Sequence, residues 1–160
     1  TNLMEVWRMA QIEQMLLDAW NNRVLISVIV GWVSAQMIKV LIHLFVNRRW
    51  SWERLFGAGG MPSSHAATVC ALAVSSLLAY GADSFAFTVS FVLAVVVLHD
   101  ARGVRLETGR QAQILNVILR EWKLEHNPFS DTILKELVGH TPLQVFVGGC
   151  IGVIAGVLIH

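Results

Sequence analysis

Two histidines, each at the start of an apolar run, are the residues of this sequence best suited to chemistry: His65 in "GGMPSSHAATV" and His140 in "LKELVGHTPLQ". Ser63 and Ser64, with the unbonded N–H groups of a helix N-terminus, would make a pocket for an anion beside His65, and Pro62 can take the first helical position. Thr141, Pro142 and Gln144 read as a capping box, with Thr141 as N-cap, Pro142 at N1 and Gln144 at N3 reaching back. His140 therefore falls just before a second helix N-terminus. The positive end of a helix favours a neutral imidazole and bound negative charge, the combination wanted by a nucleophile attacking phosphorus. Lys39 lies about two turns inside an apolar run, where a charge costs roughly 2.5–3.5 kcal/mol on insertion scales. Asp100, Arg102 and Arg105 follow another apolar run in "HDARGVR", where guanidinium groups could clamp phosphate oxygens and Asp100 could orient them.

Each group also has a plainer reading. Helix capping alone explains the serines, and snorkelling relieves Lys39. Arg48, Arg49 and Arg54 suit interfacial anchors, and residues 100–105 suit a surface ion-pair cluster. What sets them apart is that all of them fall on one side of the expected bundle. His99, Asp100 and Glu107 lack any recurrent ligand spacing, so neither a metal nor another cofactor is expected. Cys70 and Cys150 both sit inside apolar runs, where packing is the expected role.

The elements that must position these groups are membrane helices. Of 160 residues, 55% are hydrophobic and only 14% charged, against about 25% charged in soluble domains. The net charge of +1 excludes a nucleic-acid footprint, which needs clustered basic excess. Residues 24–46 carry Lys39 as their one charge and are long enough to cross a hydrocarbon core of about 30 Å. Ala66–Tyr80 and Ser84–Leu98 read as a helical hairpin around a Gly81–Asp83 turn, and Pro142–Ile159 as a fourth span. In the last, Gly148, Gly152 and Gly156 recur at four-residue intervals, the pattern that lets two helix backbones approach closely. Packing within the bundle is the first expectation for that stripe; a homodimer through helix 142–159 is the second.

Residues 3–20 carry a narrow stripe of Glu5, Arg8, Gln11, Gln14 and Asp18, and in the 107–125 segment Leu115, Ile118, Leu119 and Trp122 mark an apolar face. Both segments are read as amphipathic helices of the interface or the bundle edge. Asn127-Pro128 then breaks the chain, and Ser130 or Asp131 caps a short helix ending at Gly139. No basic-then-apolar leader with a small-residue cleavage site opens the sequence, so the first apolar segments are expected in the mature protein. The fold expected is an all-α integral membrane protein, one domain over residues 1–160. It comprises an amphipathic helix in 1–22 and a helical core in 24–160, with about four spanning helices. Ten of the twelve Lys and Arg residues gather at one end of such a bundle, the end that holds both histidines, and the positive-inside bias makes that end cytoplasmic.

The set "GGMPSSHAATV", "HDARGVR" with "GRQAQILN", and "LKELVGHTPLQVFVGG" closely resembles the divergent bacterial branch of the type 2 phosphatidic acid phosphatase superfamily, relatives of vanadium-dependent haloperoxidases. The likeness runs from about Ala35 to the C-terminus. It implies a helical bundle and metal-independent phosphoester hydrolysis through a phosphohistidine. "PSSH" looks like the superfamily's second element, which makes His65 the general acid and Ser63 and Ser64 phosphate donors. His140 looks like the nucleophile of the third element, and Lys39 like the lysine of the first. Val46 and Asn47 replace the Arg-Pro expected after that lysine. Leu134 and Gln144 replace the arginine and aspartate flanking the nucleophile, leaving Lys135, Arg102 or Arg105 to supply the cation. A neutral amide at Gln144 can orient an imidazole without stabilising its cation, a task left to a carboxylate such as Asp100.

The function expected is a phosphatase of the bacterial inner membrane. It acts at the cytoplasmic face on a lipid-linked substrate, such as a polyprenyl phosphate or diphosphate, or phosphatidate. The alternatives are a lipid-phosphate binder or translocator without chemistry, and an assembly protein whose amphipathic segments dock partners.

Overall fold

A computed structural model describes the backbone of residues 3–48, 60–121 and 141–160, with their side chains apart from Leu3, Asn47, 104–106 and 119–121. Every regular element among the described residues is helical: α1 (Leu3–Trp20), α2 (Arg23–Asn47), α3 (Ser64–Tyr80), α4 (Phe85–Arg102), α5 (Val104–Glu121) and α6 (Pro142–Ile159). The protein is an all-α integral membrane protein. Among the described residues, three segments are long and apolar enough to cross a bilayer, Arg23–Val46, Phe85–Ile118 and Pro142–Ile159, and α3 is a shorter apolar helix of 17 residues.

The core is built from small residues. Ser27, Gly31 and Ala35 of α2, Ala67, Ala71 and Ser75 of α3, and Gly148, Gly152 and Ala155 of α6 are all buried. Large residues such as Phe85, Phe91, Phe146 and Leu158 are exposed. This inversion of a soluble core is what a lipid solvent selects, because tails are as apolar as leucine and helices gain most by bringing backbones close. At the centre is α3, packed against α2, α4 and α6.

The contacts fix directions. Ser75 Oγ donates to Ser27 Oγ at 3.2 Å, and a Cβ added to Gly31 would stand 3.1 Å from Ala71 Cβ, so α2 runs antiparallel to α3. Gly148 lies on Ser63, Gly152 on Ala67 and Gly156 on Val74, so α6 runs parallel to α3. The glycine stripe is thus used within the chain, and a homodimer through 142–159 would have to use the opposite face of α6.

Several boundaries differ from the sequence expectation. Ser63 is the N-cap of α3, its hydroxyl accepting from Ala66 N–H at 3.3 Å. Pro62 therefore precedes the cap instead of filling N1, after a cis Met61–Pro62 bond. Ser84 is likewise a cap, accepting from Phe87 N–H at 3.1 Å. The third span does not stop at Leu98: α4 continues through Asp100 to Arg102, and after Gly103 the chain enters α5.

In α5, Leu115 and Ile118 point outward, and the buried positions are Gly109, Ala112 and Asn116. The apolar side chains face the surroundings because lipid accepts them, and the small ones face the neighbouring helix. The expected stripe of α1 is helical, with Gln14 Nε2 donating to Asp18 Oδ1 at 3.0 Å, and all its described side chains are exposed. Leu119 as a side chain, and Trp122, Asn127-Pro128, Ser130, Asp131 and Gly139, lie outside the described residues.

Gly148→Val should therefore cost more than its size suggests. A Cβ there would collide with the Ser63 carbonyl oxygen and stand 3.0 Å from its carbon, forcing α3 and α6 apart at a cost of about 1–3 kcal/mol. Gly149→Ala, whose Cβ would meet only Cys70 Sγ at 3.5 Å, should be near neutral. Unfolding in detergent micelles, compared between the two variants, checks the contrast.

Candidate functional site

Of the polar groups singled out by sequence, Lys39, Ser63, Ser64 and His65 lie near the start of α3. From the Gly31–Ala71 pair, eight residues along α2 and eight back along α3 carry both helices about 12 Å. That brings Lys39 level with Ser63. The level is supported by contact: a Cβ on Gly60 would stand 3.5 Å from Lys39 Cγ and 3.7 Å from Cδ. The lysine stem lies along the loop that leads into "MPSSH". Only 3% of Lys39 is exposed, and Gln36, one turn earlier, is 6% exposed. Two buried polar residues on one side of a spanning helix are costly in lipid and mark that side as turned to protein or a polar cavity.

From the opposite side comes α6. Its capping box forms as the sequence predicts, with Thr141 N–H donating to Gln144 Oε1 at 3.0 Å and Gln144 N–H to Thr141 Oγ1 at 3.4 Å. The two motif-bearing helix starts are then tied directly, Ser63 N–H donating to the Gln144 carbonyl at 3.0 Å. The glycine contacts make this possible, since a side chain at Gly148 would hold the Ser63 backbone away.

The three starts and stops are not level. Thr141 lies seven residues before Gly148, the partner of Ser63, so α6 projects about 10 Å beyond the start of α3, and α2 runs on about 12 Å past Lys39. The N-terminus of α3 is thus set back from the ends of the two longer helices. There Ser63 and Ser64 are buried and His65 half-buried. Ser64 and His65 occupy the first helical positions, whose amides have no carbonyl of their own helix to bind. Ser63 spends its backbone N–H on Gln144, and its hydroxyl accepts from Ala66 while keeping its own hydrogen to donate.

The third wall is the end of α4. Counting outward from the Gly81–Ser84 turn, His65 stands 15 residues before Tyr80 and Asp100 15 residues after Phe85, so the two are at the same height. Asp100 is half-buried and Arg102 exposed. Arg102 lines a cavity together with Pro142, the first residue of α6. The guanidinium of Arg102 therefore belongs to the same edge as the α6 N-terminus.

Gln144 makes the N3 contact expected of it. Its oxygen holds the Thr141 amide, so it fixes the peptide that follows His140. A capping box selects Glu or Gln at N3, which accounts for an amide at this position. Glu107, weighed as a metal ligand with His99 and Asp100, is paired with Arg110 at 2.6 Å. His140, Lys135, Arg49, Arg54 and the side chain of Arg105 lie outside the described residues. Sequence reasoning missed Gln36 and Asn116, the latter 5% exposed. The signal for Gln36 was available, as a second polar residue one turn from Lys39. Asn116 closes the "GRQAQILN" stretch, a signal that pointed to the stretch and not to this residue.

Fold and site together define an all-helical membrane protein with buried polar residues at the set-back N-terminus of α3. The family model described as "Divergent PAP2 family" matches residues 20–155, and the chain belongs to that family. It is 37% identical over 148 residues to "Uncharacterized membrane protein YuiD" of Bacillus subtilis (strain 168), covering 86% of this chain and 94% of that protein. No solved structure matches.

Proposed function

We propose that the protein is a metal-independent phosphatase that hydrolyses the phosphoester of a lipid-linked substrate through a phosphohistidine. The observation that carries this reading is the 3.0 Å bond from Ser63 N–H to the Gln144 carbonyl. It joins the helix start bearing His65 to the one that follows His140 in sequence. In the proposed reaction the phosphate sits over the α3 N-terminus, held by the first-turn amides, the Ser63 and Ser64 hydroxyls, Lys39, and Arg102 with Arg105. His140 attacks in line, forming the N–P bond as the ester P–O bond breaks, and His65 protonates the departing oxygen. Water then cleaves the N–P bond and releases phosphate. In this reading Asp100, level with His65, supplies the carboxylate that supports an imidazolium. A site set back by about 10 Å favours a phosphate carried on a lipid over one free in solution.

A second reading follows from Gln144. Because the amide is used for capping, no carboxylate at that position stabilises a cationic His140, and the same pocket would then bind or translocate a lipid phosphate without turnover.

Phosphate release from a panel of polyprenyl phosphate, polyprenyl diphosphate and phosphatidate separates the two. Hydrolysis is expected on at least one member and should fall by about 10³ or more in His140→Ala. No turnover on any, with wild type matching His140→Ala, removes the enzyme; lipid binding that survives His140→Ala then supports the second reading. Sidedness is tested in Cys70→Ala, Cys150→Ala protein. An impermeant maleimide added outside intact bacteria should label Ala82→Cys in the α3–α4 turn and spare Thr141→Cys. The reverse pattern would put the site outside.

A further inference from the structure

The face that α2 turns to the bundle does not end where α3 does. Ala35, Gln36, Lys39 and Val40 are buried, while Met37 and Ile38 between them are exposed. Position 43 falls two turns after Gln36 and within about 20° of it around the helix, in the middle of the arc that those four residues cover. Burial agrees with the geometry. His43 is half-buried, whereas Leu41, Ile42, Leu44 and Phe45 around it are exposed.

Height places the same residue. Lys39 is level with Ser63, so His43 stands about 6 Å beyond the α3 N-terminus, on the side to which the free amides of that helix point. Helix α2 also packs against α6, and four residues out from Gly148 bring Gln144 to the level of His43. A helical side chain leans toward the N-terminus of its own helix, which for α2 is the direction of Lys39 and the α3 start. The residue types change at this level. Where α2 meets α3 its contacts are the small Ser27, Gly31 and Ala35; from the α3 start onward the same side carries the long, polar Lys39 and His43. Close helix contact in lipid selects the first kind, and an oxyanion selects the second.

We infer that His43 is a third histidine of the phosphate site, a binding residue whose ring N–H donates to an oxygen of the group seated over the α3 N-terminus, one turn beyond the Lys39 ammonium. The inference rests on the phosphate site of the proposed function. It gives His43 neither the attack nor the protonation of the leaving oxygen, so it requires no turnover.

The test follows the thermal unfolding of the full chain in detergent micelles against orthovanadate concentration. His43→Ala is expected to raise the apparent dissociation constant about tenfold. His43→Gln, which keeps a donor, should stay within about threefold of wild type. Phe45→Ala, on the lipid side, should leave the affinity unchanged. In Cys70→Ala, Cys150→Ala protein, a water-soluble maleimide should label His43→Cys, and orthovanadate should protect it.

A lower melting temperature in His43→Ala with unchanged vanadate affinity marks a purely structural residue and overturns the inference. So does a His43→Cys thiol that is unlabelled, or labelled equally with and without vanadate. Vanadate binding that depends on His43 in a protein without turnover on any substrate would remove the proposed reaction and keep this residue. Turnover with vanadate affinity indifferent to His43→Ala would do the opposite, and no vanadate binding by wild type would overturn both.

Discussion

Everything at the site depends on how closely α6 lies against α3. Gly148 and Gly152 face the backbones of Ser63 and Ala67 so tightly that a single added carbon would overlap a carbonyl oxygen. Only at that separation can the Ser63 amide reach the Gln144 carbonyl. Van der Waals contact between backbones is the main attraction available to helices in lipid, so the glycine stripe is at once the adhesive of the bundle and the gauge of the site. It fixes the relative height of two helix N-termini whose dipoles and amides point to the same side. A looser packing would leave two separate helix ends.

The same economy governs the polar residues. Burying Lys39 and Gln36 in a spanning helix is expensive unless protein or water meets them, and the loop at Gly60 lies against the lysine stem where α3 starts. Since α2 and α6 extend past that start, the charge is reached from one end of the bundle and shielded from lipid at the sides.

Much of this was legible in the sequence, and for identifiable reasons. The capping box at Thr141–Gln144 was read atom for atom because it is local, its four residues needing no knowledge of the rest of the fold. The glycine stripe predicted a close helix neighbour, because small residues at four-residue spacing have few other uses in lipid; that the neighbour is α3 required coordinates. Boundaries failed where two signals competed. Pro62 suits a helix start, but Ser63 makes the better cap and takes that position. "HDAR" reads as a polar tail, yet its backbone continues α4, since charged residues near a membrane edge are no barrier to a helix. For α5 the sequence marked an apolar face at Leu115 and Ile118 and left open whether the helix lies in the interface or completes the bundle; both side chains are exposed to apolar surroundings. Residues recognisable as family motifs, His65 and Lys39 among them, were found by their neighbours in sequence, whereas Gln36 and Asn116 stand out once their burial is seen.

The central claim is that an oxyanion binds over the α3 N-terminus between His65 and His140. The most direct measurement is an experimental structure of the protein with orthovanadate bound. The account predicts vanadium within bonding distance of the His140 ring, its oxygens on the amides of Ser64 and His65 and on the Lys39 ammonium, and the His65 ring on the opposite side. Two rings too far apart for one tetrahedral or trigonal-bipyramidal anion to touch both, or packed side chains where the anion should sit, would contradict it.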